Sequence, residues 1–231
     1  MSLLEIIALT ADDARAAQDG GADRLEVVAD MAADGLTPDP ELVAAVRAAT
    51  SLPIRVMLRA NAGFRTSGRE LDRLRQAAAG LAEAGADGFV LGFLDSSGHI
   101  DTGAVGKLAA DLAPLPWTFH RALDHAADQA QAWDVVRGLG GGLDTVLTAG
   151  SARGVDAGVD VLVRRAAESP EAAKMLMAGG GLRRKHVAVL AAAGVTAFHV
   201  GTAVRPDGAW DAPVDPALVR EWRSLVSAAA D

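Results

Sequence analysis

The sequence has no cysteine, which excludes disulfides, thiolate zinc or copper sites and thiol nucleophiles at once. Any bound metal must be held by nitrogen, oxygen or thioether sulfur. Half of the 231 residues are hydrophobic, yet no apolar run approaches the roughly 18 residues that a membrane span requires. Basic charge is also short: 30 Asp and Glu face 22 Lys and Arg, a formal net charge of −8. Without a basic face to neutralise phosphates, nucleic acid is not expected as a partner, which leaves small molecules and metal ions. The opening Met1-Ser2-Leu3-Leu4-Glu5 lacks the basic start and long apolar stretch of a secretory signal. A soluble, cytoplasmic protein is the expectation.

What is present is a regular alternation. Short β-rich runs recur at Leu3 to Leu9, Arg24 to Asp30, Ile54 to Arg59, Gly88 to Leu94, Trp117 to Leu123, Thr145 to Gly150, Lys174 to Gly179 and Ala197 to Val204. Between them lie segments of helical periodicity rich in Ala, Leu, Arg and Glu, such as 41–47 and 70–77. Asp39-Pro40 and Asp215-Pro216 place a capping side chain before a proline suited to the first helical position. Gly21, Gly85 and Gly194 stand where preceding helices need a left-handed residue, and Gly140-Gly141-Gly142 reads as a loop before strand six. Eight strands, each feeding a crossover helix, leave no segment for another domain. The prediction is an α/β fold, a single-domain (β/α)8 TIM barrel over residues 1–231, with an open doubly wound sheet as the alternative.

In such a barrel the reactive groups stand at the C-terminal ends of the strands. Side-chain alternation turns Glu5, Glu26, Arg59, His120, Thr148 and His199 inward, a candidate catalytic cluster around one mouth. Glu5, Glu26, His120 and His199 are types that ligate zinc or manganese, with Arg59 gripping an anionic group. The competing reading is a buried ion-pair network of Glu5, Glu26 and Arg59 with hydrogen-bonded histidines. Without metal, His120 is the natural general acid or base, and Glu26 either orients it or serves as the base. Gly179, Gly180, Gly181, Arg183 and Gly201, together with Arg59, form a candidate anion site, against the alternative of a flexible turn and a solvated helix start. Asp95-Ser96-Ser97-Gly98 reads as a tight turn and Asp101 as a helix cap. Met175 and Met177 read as packing on one strand face, and Trp210 and Trp222 as cover for apolar surface near the C-terminal helix or a subunit contact.

Several segments together resemble one family. They are Leu4-Glu5-Ile6, Gly21-Ala22-Asp23-Arg24-Leu25-Glu26, Gly35-Leu36-Thr37-Pro38, Leu94-Asp95 with Gly98 and Asp101, Thr118-Phe119-His120-Arg121-Ala122, Val146-Leu147-Thr148 with Gly150, Met177-Ala178-Gly179 with Gly181, and His199. In order and across nearly the whole chain, they are similar to the CutC copper-homeostasis family. The resemblance implies a cytoplasmic (β/α)8 barrel, often a homo-oligomer, that takes part in copper homeostasis and binds copper; no accepted enzymatic activity comes with it. Two departures bear on that. Ile7, Ala8 and Val28 stand where some relatives carry cysteine, which removes a thiolate Cu(I) site. The Arg-Pro-Arg-Gly-Gly stretch after strand three is here Arg59-Ala60-Asn61-Ala62-Gly63-Phe64, so an anion site there would need rebuilding, with Arg65 as the replacement. Three readings stand: a copper-handling protein, an enzyme acting on a small anionic or phosphorylated metabolite with or without a divalent metal, and a binding module without turnover.

Overall fold

Strands covered on both faces carry near-continuous apolar runs, and eight form here: β1 (Leu3–Ala8), β2 (Arg24–Val27), β3 (Ile54–Met57), β4 (Gly88–Leu91), β5 (Trp117–Phe119), β6 (Leu143–Thr148), β7 (Leu176–Ala178) and β8 (Ala197–Val200). In the computed structural model, which describes residues 2–229, each strand pairs with its sequence neighbours. β1 closes the ring on β8 in parallel, Leu4 opposite Phe198 and Glu5 opposite His199. The architecture is a closed (β/α)8 barrel, and the open sheet is excluded.

The helices are α1 (Ala11–Gly20), α2 (Pro40–Ala49), α3 (Gly68–Glu83), α4 (Thr102–Leu112), α5 (Gln129–Arg137), α6 (Val155–Ala166), α7 (Pro170–Met175), α8 (Arg184–Ala192) and α9 (Pro216–Ala228). Gly21 and Gly85 follow α1 and α3 at φ 90° and 112°, the left-handed exits their positions called for. Pro40 and Pro216 open α2 and α9. The Asp215 carboxylate accepts from Ala217 N–H, whereas Asp39 makes no side-chain cap bond. Asp101 caps α4 through Ala104 N–H, and Asp95 accepts from Ser97 and His99 N–H in its turn.

Several strands are shorter than the β-rich runs. After β5 the chain turns at once into a 3-10 turn, Arg121–His125, because the His120 ring accepts the Ala122 N–H. β8 likewise gives way at Gly201 to the 3-10 turn Thr202–Val204. Ser169 caps α7 and Pro170 occupies its first turn, so Lys174 and Met175 are helical. Met175 and Met177 therefore do not share a strand face, and only Met177 lies in β7.

The main core lies between the strands and the helix layer, with Ile6, Val27, Phe89, Leu91, Trp117 and Phe198 at its centre. A second, smaller apolar cluster joins Ile7, Val28, Met57 and Val90 to Leu9, Met31 and Trp210. Fully burying one such side chain contributes about 1.5–3 kcal/mol. Beside this second cluster, buried Glu5, Arg24, Glu26, Arg55 and His199 occupy the strands. Barrel interiors are usually filled by aliphatic layers, so this run of charge marks where the site is set.

Candidate functional site

The strand register places Glu5 opposite Arg24 on one side and His199 on the other. Arg24 Nε donates to Glu5 Oε2 at 2.5 Å, and His199 Nδ1 lies 2.8 Å from Glu5 Oε1. His199 Nε2 then faces Glu26 Oε2 at 3.6 Å. One imidazole thus sits between two carboxylates, all of them buried. Burial raises the pKa of Glu5, but Arg24 and His199 more than offset it and bring it down to about 2. Burial pushes Glu26 up to about 7, and the nearby Glu5 charge adds to that. For His199, burial opposes the charge, yet Glu26 and Glu5 hold the pKa above the ordinary imidazole value. Glu26 Oε1 is buried without a hydrogen-bond partner.

Above this floor a cavity of about 260 Å³ opens at the C-terminal ends of the strands, with Glu26 and His199 in its lining. His120, which follows β5, forms part of its wall. Its Nδ1 accepts the Ala122 N–H at 3.2 Å, so in the neutral ring the proton belongs to Nε2. That Nε2 is buried and unpartnered. Burial, followed by the charge of Arg59, depresses the His120 pKa to about 3, and the ring is neutral at physiological pH.

The expected inward cluster is partly assembled. Glu26, Arg59, His120 and His199 line the cavity, as do Gly180, Gly181 and Gly201. Glu5 is sealed beneath them, with no solvent exposure. Thr148 does not reach the mouth: its hydroxyl donates to Asp124 Oδ1 at 2.5 Å and accepts from Gly150 N–H. Arg59 is in neither the Glu5 network nor a position to grip an anion with both arms. Its guanidinium donates to the carbonyls of Asp34, Ala62 and Gly63 and lies 4.7 Å from the Phe64 ring, stitching two rim loops together. Arg65 is no replacement, since it donates to Ser96 O on the surface. Arg183 points outward and pairs with Asp156. Gly179 is packed rather than exposed to the cavity; a Cβ there would lie 2.6 Å from Leu147 and 2.9 Å from His199.

The proposed metal set of Glu5, Glu26, His120 and His199 does not form. Among the described residues no group of three or more His, Asp or Glu is arranged to hold a metal ion. Both His199 nitrogens face carboxylates, Glu5 is bound to Arg24, and His120 presents a proton-bearing nitrogen.

Other residues complete the site. Asp124, fully buried, accepts from Thr148, Ala149 N–H and Arg121 Nε, and so fixes Arg121 at the cavity edge. Trp210 closes the other side above Gly201, where a Cβ would lie 2.5 Å from the indole. The segment carrying Trp210 is tied down by Arg205, which donates to Asp13 Oδ2 at 2.7 Å and to Ala212 O. Asp13 also accepts from Leu9 and Val214 N–H. Trp210 therefore belongs to the mouth, while Trp222 is buried in α9, with its Nε1 donating to Ala203 O.

A family model described as the CutC family matches residues 2–204. The chain belongs to that family. A CutC family protein of Klebsiella pneumoniae is 33% identical over 202 residues, covering 86% of this chain and 79% of that protein. The human copper homeostasis protein cutC homolog is 33% identical over 199 residues, covering 85% and 72%. Among solved structures, a CutC protein of Streptococcus agalactiae, named for copper homeostasis, superposes with a TM-score of 0.76 at 25% identity, over 87% of this chain and 99% of that one. Trp210, which covers the mouth, and Arg205, which anchors its segment, lie beyond the part matched by the CutC family model.

Proposed function

We propose that this protein takes part in copper homeostasis, the role for which its human and Streptococcus agalactiae relatives are named, and that its working site is the cavity at the barrel mouth. Membership of the CutC family over residues 2–204 carries the reading. The location is supported by two buried polar atoms without partners, Glu26 Oε1 and His120 Nε2, on residues that line one cavity.

Copper itself is poorly matched by the donors present. There is no thiolate, and the Met177 sulfur lies 3.5 Å from Arg24 Nη2. His120 spends the Nδ1 lone pair of its neutral ring on the Ala122 N–H, and both His199 nitrogens face carboxylates. The role is therefore exercised on a small ligand of the cavity and not by storing the ion. The same reading places the protein in the cytoplasm as a homo-oligomer, as the family resemblance implies. Among the described residues, no helix is long and apolar enough to cross a membrane.

Deleting and restoring the gene in its host tests this. Growth at raised copper should fall in the deletion and return with the wild-type gene but not with Glu26→Gln. After loading with Cu(I) and desalting, the pure protein should retain well below stoichiometric copper. Growth indifferent to the gene at every copper concentration would overturn the reading.

A further inference from the structure

A buried polar atom without a partner is costly, and natural interiors leave few of them. Here two occur on one cavity wall and floor, and they differ in kind. His120 Nε2 carries a proton and must donate. Glu26 Oε1 accepts when ionised and donates when protonated. An oxygen of a bound molecule satisfies both: a carboxylate or carbonyl oxygen accepts from His120 and from protonated Glu26, and a hydroxyl accepts from His120 and donates to ionised Glu26.

The opposite side of the cavity is built for negative charge. Gly180 and Gly181, at φ 87° and 75°, turn the chain between β7 and α8, and Gly201 and Thr202 follow β8. Among the described residues, none of these four donates its backbone N–H to a backbone carbonyl. Successive N–H groups in such turns form anion-binding concavities. Arg121 lies against Gly180, where a Cβ would be 2.5 Å from its Nε. That Nε is held by Asp124, which leaves the two terminal nitrogens of Arg121 for a ligand. Against Arg121, Arg59 and His199 stand the carboxylates of Asp34 and Glu26. A volume of about 260 Å³ is below the range for drug-sized ligands and admits a compound of a few carbons.

We propose that the mouth cavity binds a small phosphate monoester, its dianionic group on the Gly180-Gly181 and Gly201-Thr202 loops beside Arg121, and an oxygen of its remainder between His120 Nε2 and Glu26 Oε1. The proposal rests on the mouth cavity being the working site. It carries a second consequence: an anion placed near Glu26 makes its proton harder to lose, so binding in mildly alkaline solution draws a proton from solvent.

Calorimetric titration of the whole protein at about pH 8, in two buffers of different ionisation enthalpy, with 2-phosphoglycolate, glycolate and inorganic phosphate as probes, tests it. 2-Phosphoglycolate should bind about tenfold or more tighter than either fragment, with proton uptake that Glu26→Gln abolishes. Gly181, whose Cβ would meet nothing within 4 Å, allows a test by charge alone. Its left-handed φ suits Asn and Asp, so Gly181→Asp should bind the probe about tenfold or more weakly than the isosteric Gly181→Asn. Equal affinity in the two variants, inorganic phosphate binding as tightly as 2-phosphoglycolate, or no binding at millimolar concentration would each overturn the proposal. If binding fails while Glu26→Gln still loses copper tolerance, the cavity remains the working site and only its ligand class is wrong. Tight binding in a protein with no copper phenotype removes the copper role and leaves this inference standing.

Discussion

Glu26 and His199 both hold their protons more tightly in the folded chain than in the unfolded one. For groups shifted upward, the stabilisation is complete below the unfolded pKa and is lost as pH rises through the folded value. Glu26 thus contributes fully below an ordinary carboxyl pKa, and its contribution disappears as pH passes about 7; that of His199 is lost above the ordinary imidazole range. Glu5 has the opposite sign: its contribution is present above the ordinary carboxyl range and lost as pH falls toward about 2. His120 opposes Glu26 over much of the same range: its pKa is depressed to about 3, so its contribution is present above the ordinary imidazole value and is lost as pH falls below it. The thermal midpoint should therefore peak near neutrality, at about pH 6–7, and decline on both sides. Glu26→Gln removes the group that offsets His120, so its midpoint should fall more steeply than that of the wild type between about pH 7 and pH 5, as read by calorimetry across pH; an unchanged slope would mean that Glu26 does not hold its proton more tightly in the folded chain. Strand alternation made the inward direction of Glu5, Glu26, His120 and His199 legible in the sequence. It could not give height along the barrel, which separates sealed Glu5 from cavity-lining Glu26. Nor could it show that Arg59 is spent on four rim carbonyls, those of Asp34, Gly35, Ala62 and Gly63, because those contacts depend on where two loops meet. Asp124 had no distinguishing pattern, since its partners Thr148 and Ala149 belong to the next strand and its loop.

At the scale of elements, two helix glycines of the same type should respond in opposite directions. Gly158 in α6 presses on the end of β6: a Cβ there would lie 2.0 Å from Ala149 O, and a backbone neighbour cannot step aside. Gly158→Ala should destabilise by about 3 kcal/mol, at the upper end of overpacking costs. Gly106 in α4 has nothing within 4 Å of its Cβ position, so Gly106→Ala should stabilise by roughly 0.4–1 kcal/mol through helix propensity and unfolded-chain entropy. Urea unfolding of both variants decides this, and a stabilised Gly158→Ala would refute the close approach of α6 to β6. Helix starts at Pro40 and Pro216 and exits at Gly21, Gly85 and Gly194 were readable because proline and glycine act locally. Strand ends were not. Arg121-Ala122-Leu123 is as apolar as a strand, yet it is wound into a 3-10 turn by the His120 ring, and α7 was hidden because its six residues are too few to show a helical period.

For the whole molecule, the count of eight strands and the absence of a leftover segment were enough to choose a barrel, and the closed sheet agrees. Its state of assembly is a separate matter. Among the described residues Val189 is the exposed large hydrophobic side chain, so a homo-oligomer would be joined through polar or small-residue surfaces. Light scattering should give a mass above that of one chain, and that mass should fall as salt is raised if charged pairs hold the assembly. A single-chain mass at all concentrations would remove the oligomer from the reading.

The pairing of β1 with β8 has a consequence during synthesis. At ribosomal rates of about 5–20 residues per second, the first strand emerges on the order of 10–40 seconds before the last, a separation of about 190 residues. Through that interval the β1 edge facing β8 has no partner, and an open apolar edge invites pairing with another nascent chain. Glu5 sits in the middle of that strand; Arg24 of β2 pairs with one of its oxygens early, but the other has no partner until His199 arrives beside it. The group at the base of the mature site thus leaves a half-paired charge on the open edge of the unfinished barrel until the last strand closes it.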